Sequence, residues 1–106
     1  MPGTSSTDPQ LSAPLTPTQY DLAVTAAHDL AERRSANIAE ITVIEVEEVT
    51  WPDASLGCPQ KGLQAAQVLT PGIRILLELD GQSVSYHAGA GRDPFYCATP
   101  RAPTAS

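Results

Sequence analysis

The sequence predicts an α+β fold, with one N-terminal helix packed on a curved antiparallel sheet of three to four strands. Three observations support this prediction: a complete helix start at Thr16, a β-branched run over residues 41–50, and an Asp-Gly pair at residues 80–81. A helix followed by antiparallel strands forms two layers, because each element must bury its apolar face against the other. A chain of 106 residues has room for one such domain.

The helix is expected to begin at Thr16. Thr16 and Gln19 have the spacing of a capping box, in which each side chain bonds the backbone amide of the other residue. Asp29 and Arg33 are spaced for an ion pair on the polar face, and Asn37 is the expected end of the helix. The apolar stripe at helical spacing consists of Tyr20, Ala23, Val24, Ala27, Leu30 and Ala31.

The strand over residues 41–50 changes its apolar phase, which indicates a bulge, expected around Glu47 and Glu48. Residues 73–79 and 82–88 form a hairpin around the Asp-Gly turn, and residues 95–97 form a last short strand. The hairpin register predicts three facing pairs beneath the helix: Leu77 with Val84, Ile75 with Tyr86, and Ile73 with Ala88. The other face, where Arg74 lies opposite His87, is expected to be exposed to solvent.

We expect the folded domain to span residues 15–97. Residues 1–14 and 98–106 together contain a single leucine and are otherwise mostly small, polar or proline residues. Such segments bury too little apolar surface to offset the entropy lost on ordering. A disordered N-terminal segment and a disordered C-terminal tail are therefore predicted.

The charge balance argues against several classes of partner. The net charge is −6 and the six basic residues are scattered, whereas a nucleic-acid surface needs clustered Lys and Arg. No apolar run approaches the roughly 20 residues of a membrane span. We expect no nucleic acid, no membrane span and no cofactor, and a monomer that contacts, at most, another protein.

Cys58 and Cys97 are the only cysteines. They could form a redox pair, or one could be a nucleophile with His87 as its base. No Cys-x-x-Cys motif is present, and two cysteines in a small domain favour a disulfide bond that closes about 40 residues.

No residue pattern indicates catalysis or a metal site. His87 and His28 are expected to be ordinary surface residues on separate elements, so neither has ligand partners nearby. The acidic residues of the first long strand are explained as a charged face that protects a sheet edge. Because no catalytic constellation is found, we predict that the protein is not an enzyme.

Residues 51–59, Trp-Pro-Asp-Ala-Ser-Leu-Gly-Cys-Pro, concentrate residue types that restrict or anchor a loop. Burial of Trp51 is the favoured interpretation, since the chain has one tryptophan and one phenylalanine. This motif, the Gln-Val-x-Thr-Pro-Gly run at residues 67–72 and the following Tyr-His pair resemble a group of small uncharacterised bacterial domains. That resemblance covers residues 22–97 and implies an extracytoplasmic location and a Cys58–Cys97 bond, but no known activity.

A looser architectural resemblance is to cystatins, which insert a Gln-Val-x-x-Gly hairpin into cysteine proteases. The corresponding run at residues 67–72 is one residue longer. By itself this likeness implies no inhibitory function.

The leading hypothesis is a non-enzymatic exported binding module that uses the loops at residues 51–64 and 70–72, since rigid loops lose little entropy on binding. A protease inhibitor is the alternative, and an enzyme with a Cys–His pair ranks third. Residues 1–5 have neither the basic start nor the apolar stretch of an export leader. A cytosolic chain with reduced cysteines therefore competes with an exported one, and the cysteines favour export. The candidate contact residues are Trp51, Asp53, Leu56, Lys61, Leu63, Thr70, Pro71 and Gly72.

Overall fold

A computed structural model of the chain describes residues 8–59, 66–89, 91–101 and 103. Over these residues one helix packs against a five-stranded sheet, which confirms the α+β class but not the predicted three to four strands. The strand order is β1-β2-β3-β4-β5; β1 is parallel to β2, and the other neighbours are antiparallel. In chain order the elements are β1 (Gln10–Leu11), α1 (Pro17–Arg34), a 3₁₀ turn (Ile38–Glu40), β2 (Thr42–Trp51), β3 (Thr70–Leu79), β4 (Gln82–Gly89) and β5 (Arg92–Cys97).

The predicted start of α1 is confirmed. Gln19 N–H donates to Thr16 Oγ1 at 3.2 Å, and Thr16 N–H donates to Gln19 Oε1 at 3.0 Å, which completes the capping box. The helix ends at Arg34, not at Asn37, and Ser35 caps it with a left-handed backbone and a φ of 50°. Asn37 instead precedes the 3₁₀ turn and donates its N–H to Glu40.

Strand β1 was not anticipated, because it lies within the segment expected to be disordered. Gln10 N–H donates to Ile41 O at 2.8 Å, and Ser12 N–H donates to Val43 O at 2.9 Å. Sheet-edge hydrogen bonds need no particular side chains, so composition gave no sign of them.

Part of the predicted disordered C-terminal tail also contacts the domain, because Arg101 N–H donates to Gly57 O at 2.8 Å.

The bulge in β2 is present, but its predicted position was wrong. The register shifts between Val43 and Glu45, and pairing with β3 then continues without a further shift to Trp51. The later phase change, at Val49 and Trp51, therefore is not a bulge. It arises because both faces of the sheet are covered at this end, so that apolar residues are accommodated on the face opposite α1.

The Asp80–Gly81 turn determines the hairpin register as predicted. Both residues have positive φ, 53° and 78°, as a type I′ turn requires. All three predicted facing pairs are observed, and so is the pairing of Arg74 with His87 on the other face.

The main core lies between α1 and the sheet. Short alanine side chains on α1 let the helix approach the sheet closely, and Leu30 fills the space nearer its end. The buried residues of this core are Ala23, Ala26, Ala27, Leu30, Ile38, Ile41, Val43, Val46, Ile75, Leu77, Leu79, Val84 and Tyr86.

A short polar contact joins α1 to β4 at the rim of the core. Tyr86 O–H donates to Asp29 Oδ2 at 2.6 Å, and Arg33 Nε donates to the same oxygen at 2.6 Å. Burial alone would raise the pKa of Asp29, but the hydrogen bonds from Tyr86 and Arg33 outweigh it and lower that pKa. The predicted Asp29–Arg33 ion pair is thus present and is shared with the sheet.

Candidate functional site

Residues 51–59, here called the loop layer, fold back over the sheet face opposite α1. The predicted bond between Cys58 and Cys97 is present and attaches the end of the loop layer to β5, with 5.7 Å between the two Cα atoms. Both cysteines of the chain are therefore in the disulfide, and neither is a free nucleophile.

Trp51 is fully buried, as predicted. Its indole N–H donates to Ala88 O at 3.1 Å. Glycines make room for the ring: a Cβ at Gly57 or at Gly72 would lie under 3.0 Å from indole atoms. Gly57 also has a φ of 72°, a conformation that favours glycine. The indole is thus enclosed by backbone on two sides.

The prediction that His87 is an ordinary surface residue was wrong, because the loop layer covers it completely. Its side chain is 0% exposed and its ring is stacked on that of Trp51, with centroids 4.4 Å apart. Nδ1 lies 2.7 Å from Leu56 O, and Nε2 lies 2.7 Å from Ser85 Oγ. A carbonyl oxygen can only accept, so Nδ1 carries a hydrogen, and in the neutral imidazole Nε2 then accepts from the Ser85 hydroxyl.

This arrangement fits a neutral imidazole. Burial lowers the pKa of His87, and the positive charge of nearby Arg74 acts in the same direction, while the bond to Leu56 opposes both. Arg74 itself forms an ion pair with Glu47 on β2. His87 therefore acts as a polar connection between β4 and the loop layer, and its nitrogens are engaged there.

The structure separates the predicted contact residues into interior and outer positions. Trp51 and Leu56 are both 0% exposed and cannot touch a partner in this conformation. Gly72 forms part of the wall around the indole, while Pro71 is exposed. Thr70 donates its hydroxyl to Val68 O at 2.7 Å.

Asp53 lies at the start of the loop layer and organises its first turn. Its Oδ1 accepts from Ser55 N–H at 2.9 Å and from the Ser55 hydroxyl at 2.5 Å. These bonds lower the pKa of Asp53.

Two further predicted contact residues, Lys61 and Leu63, lie outside the described residues.

Two outer residues were missed by the sequence prediction. Val68 and Leu69 are 59% and 64% exposed, immediately before β3. The predicted contacts in this run are Thr70, Pro71 and Gly72 and stop short of these two residues, although adjacent large apolar residues near a Pro-Gly pair are a usable signal. Together with Pro71 they form an apolar outer surface, here called the 68–71 surface, at the same end of the sheet as the loop layer.

Within the residues that the structure describes, no group of three or more His, Cys, Asp or Glu side chains is placed to hold a metal ion. Helix α1, the one α-helix over these residues, is not both long enough and apolar enough to cross a membrane.

Comparison with known proteins gives one match. A family model described as a domain of unknown function (DUF8738) matches residues 23–97, which supports the expected resemblance to an uncharacterised family. No curated protein and no solved structure matches the chain.

Proposed function

The chain belongs to the DUF8738 family of domains of unknown function, and from that premise we propose that it is a non-enzymatic, exported module that binds another protein through the 68–71 surface. The observation that carries this proposal is the exposure of two adjacent large apolar side chains, Val68 and Leu69. Apolar side chains presented together are typical of protein–protein contact sites.

The rigidity of the neighbouring backbone supports the proposal. The strand that follows the surface is held by the Trp51 N–H bond to Ala88 and by the close packing of Gly72 against the indole. The Cys58–Cys97 bond restrains the adjoining loop layer. A surface on such a support loses little conformational entropy on binding, so more of the contact energy appears as affinity.

The disulfide supports an extracytoplasmic location. Disulfide bonds persist in oxidising compartments and are rare in the cytosol. A small domain that is exported also benefits most from such a bond, because its core is limited.

The proposal is tested by crosslinking at the surface itself. A photoreactive amino acid is placed at Val68 in the native host, and a matched one at Gln82, which is exposed at the start of β4, at the opposite end of the sheet. We expect a discrete protein adduct from position 68 and none from position 82.

The captured protein is then purified and titrated against the full chain. Leu69→Asp should weaken that complex by about tenfold or more, because it places a charge in the apolar contact. A complex that forms equally well with Leu69→Asp, or the same adduct from both positions, would refute this surface as the binding site.

Protease inhibition is a second candidate, because the 68–71 surface and the adjoining ends of β4 and β5 at Gly89 and Arg92 lie at one end of the sheet. An inhibitor of cystatin-like arrangement would insert both into a protease cleft. Titration of a papain-type protease with the domain distinguishes the two functions: inhibition that Leu69→Asp abolishes would favour the inhibitor, and full protease activity would exclude it.

A further inference from the structure

The outer edge of β2 is covered along only part of its length by the residues that the structure describes. Strand β1 pairs with Thr42 and Val43, and no described strand pairs with the outer edge from Glu45 to Thr50. A strand edge of this kind presents backbone N–H and C=O groups that can hydrogen-bond an incoming extended chain.

A groove lies over the β2–β3 pair at this open part of β2. It has a volume of about 390 Å³ and is lined by residues of both strands, including Glu47, Glu48 and Pro71, and by Pro103 from the C-terminal segment. The groove therefore places proline and carboxylate side chains next to the open part of β2. It shares Pro71 with the 68–71 surface, but Val68 and Leu69 do not line it.

The charges along the outer edge of β2 determine which kind of extended segment could bind there. Glu45 and Glu48 are exposed, and the ion pairs found over the described residues engage Asp29 and Glu47 instead. With a net charge of −6, the chain would repel a second copy of itself or an acidic strand here. Charges on an edge strand discourage unspecific pairing, and the same charges favour a strand of opposite sign.

We propose that the β2 edge from Glu45 to Thr50 binds an extended segment of a partner protein that carries Lys or Arg side chains and adds to the sheet as a sixth strand. Its backbone bonds to β2 and its cations pair with Glu45 and Glu48. This inference goes beyond the proposed function, because it concerns the backbone edge of β2 and its carboxylates, not Val68 and Leu69, and states the chemistry of its partner.

The positions of the two carboxylates define the spacing of the cations. Glu45 pairs with Leu76 and Glu48 with Ile73, and these partners lie on opposite faces of the sheet. An extended segment with a cation at every third residue places successive cations on opposite faces in the same way. A repeat of Lys-Thr-Val is therefore the matched probe.

Fluorescence anisotropy with a labelled Lys-Thr-Val repeat peptide at low salt measures the binding. We expect saturable binding to the full chain, no binding of the corresponding Glu-Thr-Val peptide, and about tenfold weaker binding to Glu48→Lys. Glu32→Lys makes the same charge change at an exposed position of α1 and should bind like the unaltered chain. Absence of saturable binding, or an equal loss in both variants, would overturn the proposal.

Strand addition has its own readout. N-methylating every amide of the peptide removes its backbone donors while its charges remain. We expect the methylated peptide to lose saturable binding, because an added strand bonds to β2 through its backbone N–H groups. If the methylated peptide binds like the unmodified one, the interaction is electrostatic only and the proposal fails.

The two proposals fail independently. Leu69→Asp should bind the Lys-Thr-Val peptide as the unaltered chain does, and Glu48→Lys should still give the crosslinked adduct from position 68. Loss of peptide binding in Leu69→Asp would show that the two surfaces are one site and would overturn the separate β2 site.

Discussion

The indole of Trp51 lies stacked on the imidazole of His87, with ring centroids 4.4 Å apart. Trp51 ends β2 and His87 lies within β4, so the contact joins two strands that are separated by β3 in the sheet. Each ring has a second anchor: Trp51 donates to Ala88 O, and His87 bonds to Leu56 O. The loop layer is therefore a second core on the face opposite α1, and substitutions within it test its contribution to the stability of the domain.

Gly72→Ala should strongly destabilise the protein. A Cβ at this position would stand under 3.0 Å from the Ala88 carbonyl and from the Trp51 indole, neither of which can move without breaking their mutual hydrogen bond. We expect a loss of about 3 kcal/mol in the free energy of unfolding, measured by urea denaturation. Gly81→Ala is the matched control: its Cβ meets nothing within 4 Å, and the strain of its positive φ should cost about 1 kcal/mol. Equal losses would contradict the enclosed indole.

The stability should fall in mild acid because of His87. Burial lowers the pKa of His87 below its value in the unfolded chain. Between these two pKa values the unfolded chain binds the proton and the folded chain does not, so stability rises with pH. The stability that follows from this pKa difference is fully present above about pH 6.5, the usual pKa of a histidine in an unfolded chain. It is lost progressively as the pH falls below that value. Urea midpoints measured between about pH 5 and pH 7 follow this change, above the range in which carboxylates titrate.

Two variants isolate the His87 contribution to that pH dependence. His28→Gln removes an exposed imidazole of α1 and should keep the full slope. His87→Gln should flatten the slope whatever its effect on overall stability, because the buried titrating group is gone. A slope that stays unchanged in His87→Gln would show that another group is responsible.

Reduction of the Cys58–Cys97 bond should lower the free energy of unfolding by about 4 kcal/mol, because the bond closes a loop of 39 residues in the unfolded chain. Urea denaturation with and without a reductant measures the difference. The double variant Cys58→Ala/Cys97→Ala should be insensitive to the reductant, which serves as the control. A difference below about 1 kcal/mol would mean that the unfolded chain gains little freedom on reduction.

The Tyr86 hydroxyl should contribute more to stability than that of Tyr20. Each donates to an aspartate at 2.6 Å, Tyr86 to Asp29 and Tyr20 to Asp8, but Tyr86 is fully buried and the Tyr20 contact is exposed. We expect Tyr86→Phe to cost about 1 kcal/mol and Tyr20→Phe at most about 0.5 kcal/mol in thermal or urea unfolding. A larger loss for Tyr20→Phe would indicate that the attachment of residue 8 to α1 matters more than the rim of the core.

Local signals made the helix and the hairpin predictable. The capping residues Thr16 and Gln19, and the turn residues Asp80 and Gly81, act through hydrogen bonds and backbone angles within a few residues of themselves. The covered second face was not predictable in that way. Val49 and Trp51 do signal it by their change of apolar phase, but such a change within a strand is equally typical of a bulge, and the pattern alone does not separate the two causes.

The candidate site was only partly predicted for a related reason. Sequence identified residues 51–59 as an organised loop and predicted the burial of Trp51, yet it could not show that Leu56 also points inward while Val68 and Leu69 remain exposed. All four are large and apolar or aromatic, and their sequence neighbours do not distinguish them.

The sequence by itself determined the α+β class, the start of α1, the hairpin register and the pairing of Cys58 with Cys97, because each depends on residue chemistry at short range or on there being only two cysteines. Only the tertiary structure decided that His87 is buried, that β1 joins the sheet edge and that most of the β2 edge stays open over the described residues. These outcomes depend on which segments meet across the sheet. Which segments pack together is decided by the packing free energy of the whole chain, and no local sequence pattern encodes it.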